Sequence, residues 1–266
     1  MYKSNTRVFS GIAEIYDRSR PELPVALAGS AESYLGHAPA CVVDVGCGTG
    51  RSLNAWVKEA GLIYGVEPNE DMRAVAERNY ADVPNVSIMD GCGEKIDLPD
   101  RSVDIITCVQ VFHWLDEKEA LPEFDRILKP GGVLLACDFE FPPLGLWQAD
   151  KAYADLLQLQ KDMDKKYPEL NRDVMEGDKT QNLQKIKDCG YFDYCRNASF
   201  VDTEEFDAER FIALAFSQSP LDRMVKAGIE EVKEPITKFR QTVEKAFQGG
   251  TANVSFGMKL TLAVKK

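Results

Sequence analysis

The chain has 266 residues, a formal net charge of -11 and 44% hydrophobic against 28% charged residues, enough for one full α/β core without a second independent domain. An acidic surface opposes binding along a phosphate backbone, where affinity rests on Lys and Arg, and no apolar run approaches the roughly 20 residues of a membrane helix. That leaves a small molecule as the expected partner, with neither nucleic acid nor membrane. The start M-Y-K-S-N-T-R-V-F-S lacks an apolar core of signal-peptide length, so a cytoplasmic location is expected. Seven cysteines without C-x-x-C spacing read as reduced thiols rather than a zinc site, and no metal is expected.

Residues 1–40 read as a helical preface. Phe9, Ile12, Ala13, Ile15 and Tyr16 recur at helical spacing, and a turn at Pro21 leads to a second helix near 24–35. The stretch 41–53, C-V-V-D-V-G-C-G-T-G-R-S-L, organises the rest of the chain. Cys41, Val42, Val43 and Val45 make a short buried strand, glycines at 46, 48 and 50 permit a sharp turn, and a helix is expected over Ser52–Ala60. In such a unit bare backbone N–H groups are expected to face the crevice beyond the strand's carboxyl end, where nucleotide-like ligands bind. Spacing argues against a dinucleotide: G-x-G-x-x-G needs glycine at 51, where Arg51 stands, and Asp44 precedes Gly46 by two residues. That acid would repel a pyrophosphate and attract, directly or through water, a cationic amino group.

Leu62–Val66 reads as a second strand ending at Glu67-Pro68-Asn69, and a carboxylate at a strand's carboxyl edge can accept both hydroxyls of a ribose. A helix over Asn69–Tyr80 and a strand over Val86–Met89 come next, then D-G-C-G-E-K-I-D-L-P-D-R-S-V-D-I-I and an apolar fourth strand, Val103–Val109. That strand delivers Gln110-Val111-Phe112-His113-Trp114 to the cleft edge. His113 is one of two histidines; an imidazole there could take a proton from an acceptor or bond an anionic one, or the His-Trp pair could simply open a packed helix. A helix over Glu117–Leu128 is expected to stop at K-P-G-G, whose two glycines are able to take positive φ, and a strand over Val133–Phe139 comes after it. Helices are then expected over Leu146–Tyr167, Thr180–Cys189, 203–216 and 228–247, with Val254–Val264 as an edge strand.

The phrase V-D-V-G-C-G-T-G resembles motif I of class I S-adenosylmethionine-dependent methyltransferases. R-I-L-K-P-G-G-V-L-L and C-G-Y-F-D-Y-C-R-N-A-S-F-V are similar to later segments of that family, and Q-x-x-H-W resembles its type-11, trans-aconitate methyltransferase-like members. The resemblance implies a Rossmann-like, seven-stranded, mostly parallel sheet with an antiparallel last strand, flanked by helices and carrying a helical cap. It divides the chain into an N-terminal cap (1–40), a cofactor-binding core (41–139), a helical cap and substrate region with the sixth strand (140–250) and a C-terminal strand (251–266).

The implied cofactor is S-adenosylmethionine. F-S-G-I-A-E-I-Y-D-R-S-R-P resembles the family's N-terminal segment, in which a Tyr and an Arg reach the cofactor's carboxylate, so Tyr16 and Arg20 are candidates; a packed aromatic and a solvated Arg are the alternative. The family match adds Asp44, Gly46, Cys47, Gly48, Glu67, Pro68, Cys92, Gly93, Glu94 and Val109 as cofactor-binding candidates. Cys92 departs from the pattern, standing where the family often has Asp, Ser or Thr against the adenine amino group. A thiol bonds weakly, so recognition is expected to rest on the backbone at Gly93, with Asp90 as the alternative side chain. The implied reaction is methyl transfer to a small-molecule acceptor, with carboxyl-methylating relatives pointing to a carboxylate and His113 as the catalytic candidate. Phe112, Trp114 and cap aromatics would shield the sulfonium. A binding protein that holds the cofactor or a derivative without catalysis, and a nicotinamide-dependent oxidoreductase with an unusual loop, remain open.

Overall fold

The computed structural model describes residues 9–171 and 177–266, so the first eight residues of the expected preface lie outside the described residues. Short apolar runs make the parallel strands β1 (Cys41–Val45), β2 (Leu62–Val66), β3 (Val86–Met89) and β4 (Val103–Val109), of which β1 and β4 are buried along nearly their whole length. β5 (Leu128–Phe139) pairs with β4 in parallel, and β7 (Thr251–Lys265) lies antiparallel to both β5 and β6 (Phe192–Asp207). The sheet order is β3-β2-β1-β4-β5-β7-β6, so the expected seven-stranded, mostly parallel sheet with an antiparallel last strand is present. Both faces are covered. Along β5, Val133, Leu135, Cys137 and Phe139 enter one core with Trp56, Tyr153, Phe211 and Phe239, while Leu134 and Ala136 enter a second with Phe124, Ile127 and Ile186.

The helices in chain order are α1 (Ala13–Ser19), α2 (Val25–Leu35), α3 (Glu70–Asn79), α4 (Glu117–Ile127), α5 (Trp147–Lys166), α6 (Asn182–Asp188), α7 (Ala208–Phe216), α8 (Ser219–Lys226) and α9 (Lys233–Phe247). None among the described residues is long and apolar enough to cross a membrane.

Several expectations need correction. The last strand is interior rather than at an edge, buried continuously from Leu260 to Ala263, and β6 is the edge. Residues 203–207 are strand rather than helix, because cross-strand pairing from Thr203↔Ser255 to Asp207↔Thr251 overrides local preference; the helix begins only at Ala208, where Asp207 accepts the Arg210 N–H at 2.7 Å. The helix expected over Ser52–Ala60 is one 3₁₀ turn, Leu53–Trp56, after which the N–H groups of Glu59 and Ala60 both bond the Trp56 carbonyl and turn the chain toward β2. In K-P-G-G only Gly131 takes positive φ; a Cβ on Gly132 would lie 2.8 Å from the Lys129 carbonyl oxygen, so crowding rather than conformation requires that glycine. The helix expected from Thr180 is also shorter, a 3₁₀ turn at Lys179–Gln181 leading into α6.

Candidate active site

The glycine loop leaves β1 with Gly46, Gly48 and Gly50 at φ of 65°, 57° and 90°, the left-handed region that a Cβ disfavours. Gly46 is constrained twice, since a Cβ there would meet Val111 Cγ2 at 2.4 Å. The expected row of bare N–H groups is absent in this conformation. Gly46 and Cys47 donate to the Val66 carbonyl at 2.7 and 3.2 Å, and Gly50 donates to Cys47 at 2.9 Å. Gly48 donates to Glu67 Oε2 at 2.9 Å. The loop is thus stitched to the end of β2.

Glu67 stands at that end, 6% exposed, and its other oxygen accepts the Asn69 N–H at 2.8 Å. Burial pushes its pKa up to about 7, against the opposing pull of the Asn69 and Gly48 N–H groups and of Arg73. Pro68 comes next, half-buried, and Asn69 caps α3. Asp44 lies beneath the cleft rather than in it. It is fully buried in the middle of β1, and its two oxygens are taken by the hydroxyls of Ser52 and Thr107, tying the turn and β4 to β1. Burial pushes its pKa up to about 6, opposed by those hydroxyls.

Above the loop a narrow cleft of about 30 Å³ is lined by Tyr16, Arg20, Gly46, Cys47, Val109 and Gln110, with Arg51, Ser52 and Phe139 completing its walls. Tyr16 and Arg20 thus line the same cleft as Gly46 and Cys47 of the glycine loop. Arg20 packs its guanidinium over the rings of Tyr16, at 4.7 Å, and Phe141, at 5.2 Å, and donates to the Ser217 carbonyl at 3.1 Å. Its Nε is buried with no hydrogen-bond partner. A guanidinium held so is suited to a ligand carboxylate. Arg51, read from sequence only as a missing glycine, reaches Glu22 at 3.3 Å.

Beyond β3, Cys92 is half-buried in a tight turn closed by Lys95, and Gly93 is wedged where a Cβ would lie 2.9 Å from Val45 Cγ1. Glu94 accepts the Asp116 N–H at 3.1 Å, and Asp90 is held by Arg73 at 3.1 Å. Gly93 thus packs between Val45, at the end of β1, and Leu115.

His113, expected at the cleft edge, is instead buried, 5% exposed, in the 3₁₀ turn Phe112–Trp114. Its Nδ1 lies 3.5 Å from Asp138 Oδ1. Burial, and then the charges of Lys179 and Lys185, push its pKa down to about 2. Phe112 is buried in the core as well, whereas Trp114 makes an edge contact with Phe9, which in turn meets Tyr16. Among the described residues no group of three or more His, Cys, Asp or Glu is arranged to hold a metal ion. Phe139 was missed as a cleft residue; Gln110, expected at the cleft edge with the rest of Q-x-x-H-W, does line it, but nothing in a glutamine announces its left-handed backbone, φ 58°.

Comparison with known proteins adds a partial match. Residues 43–136 match the methyltransferase domain model. An uncharacterized methyltransferase of Mycobacterium tuberculosis is 33% identical over 126 residues, covering 47% of this chain and 49% of that protein. A malonyl-[acyl-carrier protein] O-methyltransferase of Halalkalibacterium halodurans is 32% identical over 145 residues, covering 50% and 54%. The chain thus spans about half the length of the curated relatives it matches. A type II methyltransferase structure from Anaeromyxobacter dehalogenans superposes with a TM-score of 0.66 at 18% identity, over 92% of this chain and 97% of that one. Residues 43–136 are thus similar to a methyltransferase domain, and the superposition shows that the chain shares the fold of a methyltransferase structure.

Proposed function

We propose that the chain transfers the methyl group of S-adenosylmethionine to a small-molecule acceptor, and that the methylated atom is a carboxylate oxygen. The observation that carries the cofactor is Arg20, a guanidinium in the cleft beside the glycine loop with a buried, unpartnered Nε. The residues present fit that cofactor: a cation for its carboxylate, a loop whose glycines admit close approach, and Glu67 at the strand end for ribose hydroxyls. When bound, S-adenosylmethionine supplies an electrophilic methyl on a sulfonium.

Tyr16 and Arg20 hold the amino-acid end, and Gly46, Cys47 and Gly48 form the floor. Glu67, with Pro68 after it, accepts the ribose hydroxyls; Gly93, flanked by Cys92 and Glu94, borders the adenine; Val109 lines the transfer side. Asp44 acts from below, by holding Ser52 and Thr107. With methyl and acceptor aligned and water excluded, in-line displacement needs no metal and, for an acceptor already ionised at neutral pH, no base. The carboxylate rests on the Q-x-x-H-W segment and on likeness to the malonyl-[acyl-carrier protein] enzyme. The division at 40, 139 and 250 and a cytoplasmic site of action belong to the same reading, the latter supported by seven cysteines none of which is paired in a disulfide.

Incubation with labelled S-adenosylmethionine and a metabolite extract, then mass spectrometry, should yield a labelled methyl ester. Calorimetry should show S-adenosylhomocysteine binding that weakens by about 2–3 kcal/mol in Glu67→Ala. Cofactor binding without any labelled product would leave a binding protein; micromolar NAD binding would overturn the reading.

A further inference from the structure

At Gln110 the cap and the cleft share a side chain. The residue lines the cleft, yet its backbone stands at φ 58°, a conformation that costs a non-glycine residue about 1–2 kcal/mol. Such strain persists only where the surroundings over-determine it. Two of the bonds that hold it come from the neighbouring strand: its N–H donates to the Cys137 carbonyl at 2.8 Å, and its Nε2 to the Phe139 carbonyl at 3.0 Å. The third comes from 69 residues away, where Lys179 Nζ donates to Gln110 Oε1 at 2.8 Å.

Lys179 belongs to the segment that leads into α6, and this segment is seated on the same end of the sheet. The Gly177 N–H donates to the His113 carbonyl at 2.7 Å, and Asn182 Nδ2 donates to Asp138 Oδ2 at 3.1 Å. Lys185 reaches Glu117 at 3.3 Å. The carboxylate nearest Lys179 is Asp138, at 3.5 Å, so the ammonium makes its short contact with the amide oxygen of a cleft residue rather than with the acid. A lysine serving only as a tie to Asp138 has no need of that geometry.

We infer that Lys179 is a positioning residue for the transfer cleft: it reaches from the cap to fix Gln110 in its left-handed conformation, so that the segment 177–182 and the cleft wall form one unit. The inference rests on the methyl-transfer reading, because it gives Gln110 a ligand to face. Without Lys179 the glutamine amide loses its outer hold, and the backbone at 110 can relax toward the ordinary right-handed region.

The test uses wild type, Lys179→Met, Lys179→Arg, Gln110→Ala and the Lys179→Met/Gln110→Ala double variant, with S-adenosylhomocysteine affinity read by calorimetry and exchange of the Gln110 amide by NMR in the ligand-free protein. Lys179→Met should speed that exchange and weaken binding by about tenfold each, the worth of one hydrogen bond to a charged donor. Lys179→Arg should restore both to within about threefold, and the double variant should bind no more weakly than Gln110→Ala, because residues acting through one contact are not additive. Additive losses in the double variant, or wild-type exchange at Gln110 in Lys179→Met, would overturn the inference. Failure of the wild type to bind S-adenosylhomocysteine would overturn the reading of the site and the inference with it, while the exchange arm reports separately whether Lys179 holds Gln110.

Discussion

The Glu67 carboxylate accepts the backbone N–H of Gly48 at 2.9 Å, so the acid at the end of β2 and the glycine turn after β1 are a single hydrogen-bonded unit. With its pKa pushed by burial up to about 7, Glu67 is half protonated near neutrality. Ribose hydroxyls donate to the ionised form, so cofactor binding draws off a proton. S-adenosylhomocysteine should bind about tenfold more weakly at pH 6 than at pH 8, and Glu67→Gln should flatten that dependence. Calorimetry across this range checks it; a flat wild-type profile refutes the role given to Glu67.

The same residue sets a stability trend. A carboxyl whose folded pKa of about 7 exceeds its ordinary 4.5 contributes stability that is full below pH 4.5 and lost as pH rises through 7. Asp44, raised from 3.8 to about 6, acts in the same sense one unit lower. Urea melts at pH 5 and pH 8 should therefore show the advantage of wild type over Glu67→Gln shrinking by about 2.5 kcal/mol toward pH 8. A constant gap would mean that Glu67 is ionised throughout.

Gly46→Ala should be among the most damaging single substitutions in the loop. It places a side chain at φ 65° and drives its Cβ to 2.4 Å from Val111 Cγ2. The backbone term alone is about 1–2 kcal/mol, and overpacking adds about 1–3 kcal/mol. Adding Val111→Ala should recover only the second part in denaturant melts, because the backbone term is untouched by it; full recovery would show that φ carries no cost here.

Much of the fold was legible because strands buried on both faces write themselves as apolar runs, as at Val103–Val109, and because three glycines after such a run have few other uses. What was not legible depended on distant pairing. Thr203 to Asp207 looks helical until β7 lies beside it, and β7 looks like an edge until β6 covers it. Acids that bond the loop and acids that support it from below look alike in sequence: Asp44 sits next to the loop but points into two hydroxyls below it, whereas Glu67, 19 residues from Gly48, is the acid bonded to the loop. Gln110 and Lys179 are 69 residues apart, and neither residue type signals the other.

His113 shows the same limit, and its burial gives a prediction of opposite sign to that for Glu67. The imidazole lies 5% exposed in a turn behind β4, with burial first and then Lys179 and Lys185 pushing its pKa down to about 2. A base so reluctant to hold a proton is far from the near-neutral value that general-base catalysis favours. His113→Gln should therefore leave kcat for a carboxylate acceptor within about threefold of wild type, well short of the 10²–10⁴-fold loss expected for a true base. Its signature should be in stability instead. A histidine whose folded pKa lies below its ordinary 6.5 contributes stability that is present above pH 6.5 and is lost as pH falls, because the unfolded chain takes up a proton that the fold refuses. Between pH 7 and pH 5 wild type should lose about 2 kcal/mol relative to His113→Gln. Parallel urea melts and kcat profiles of the two proteins separate the cases: a kcat collapse with no change in the pH dependence of stability would make His113 the base after all.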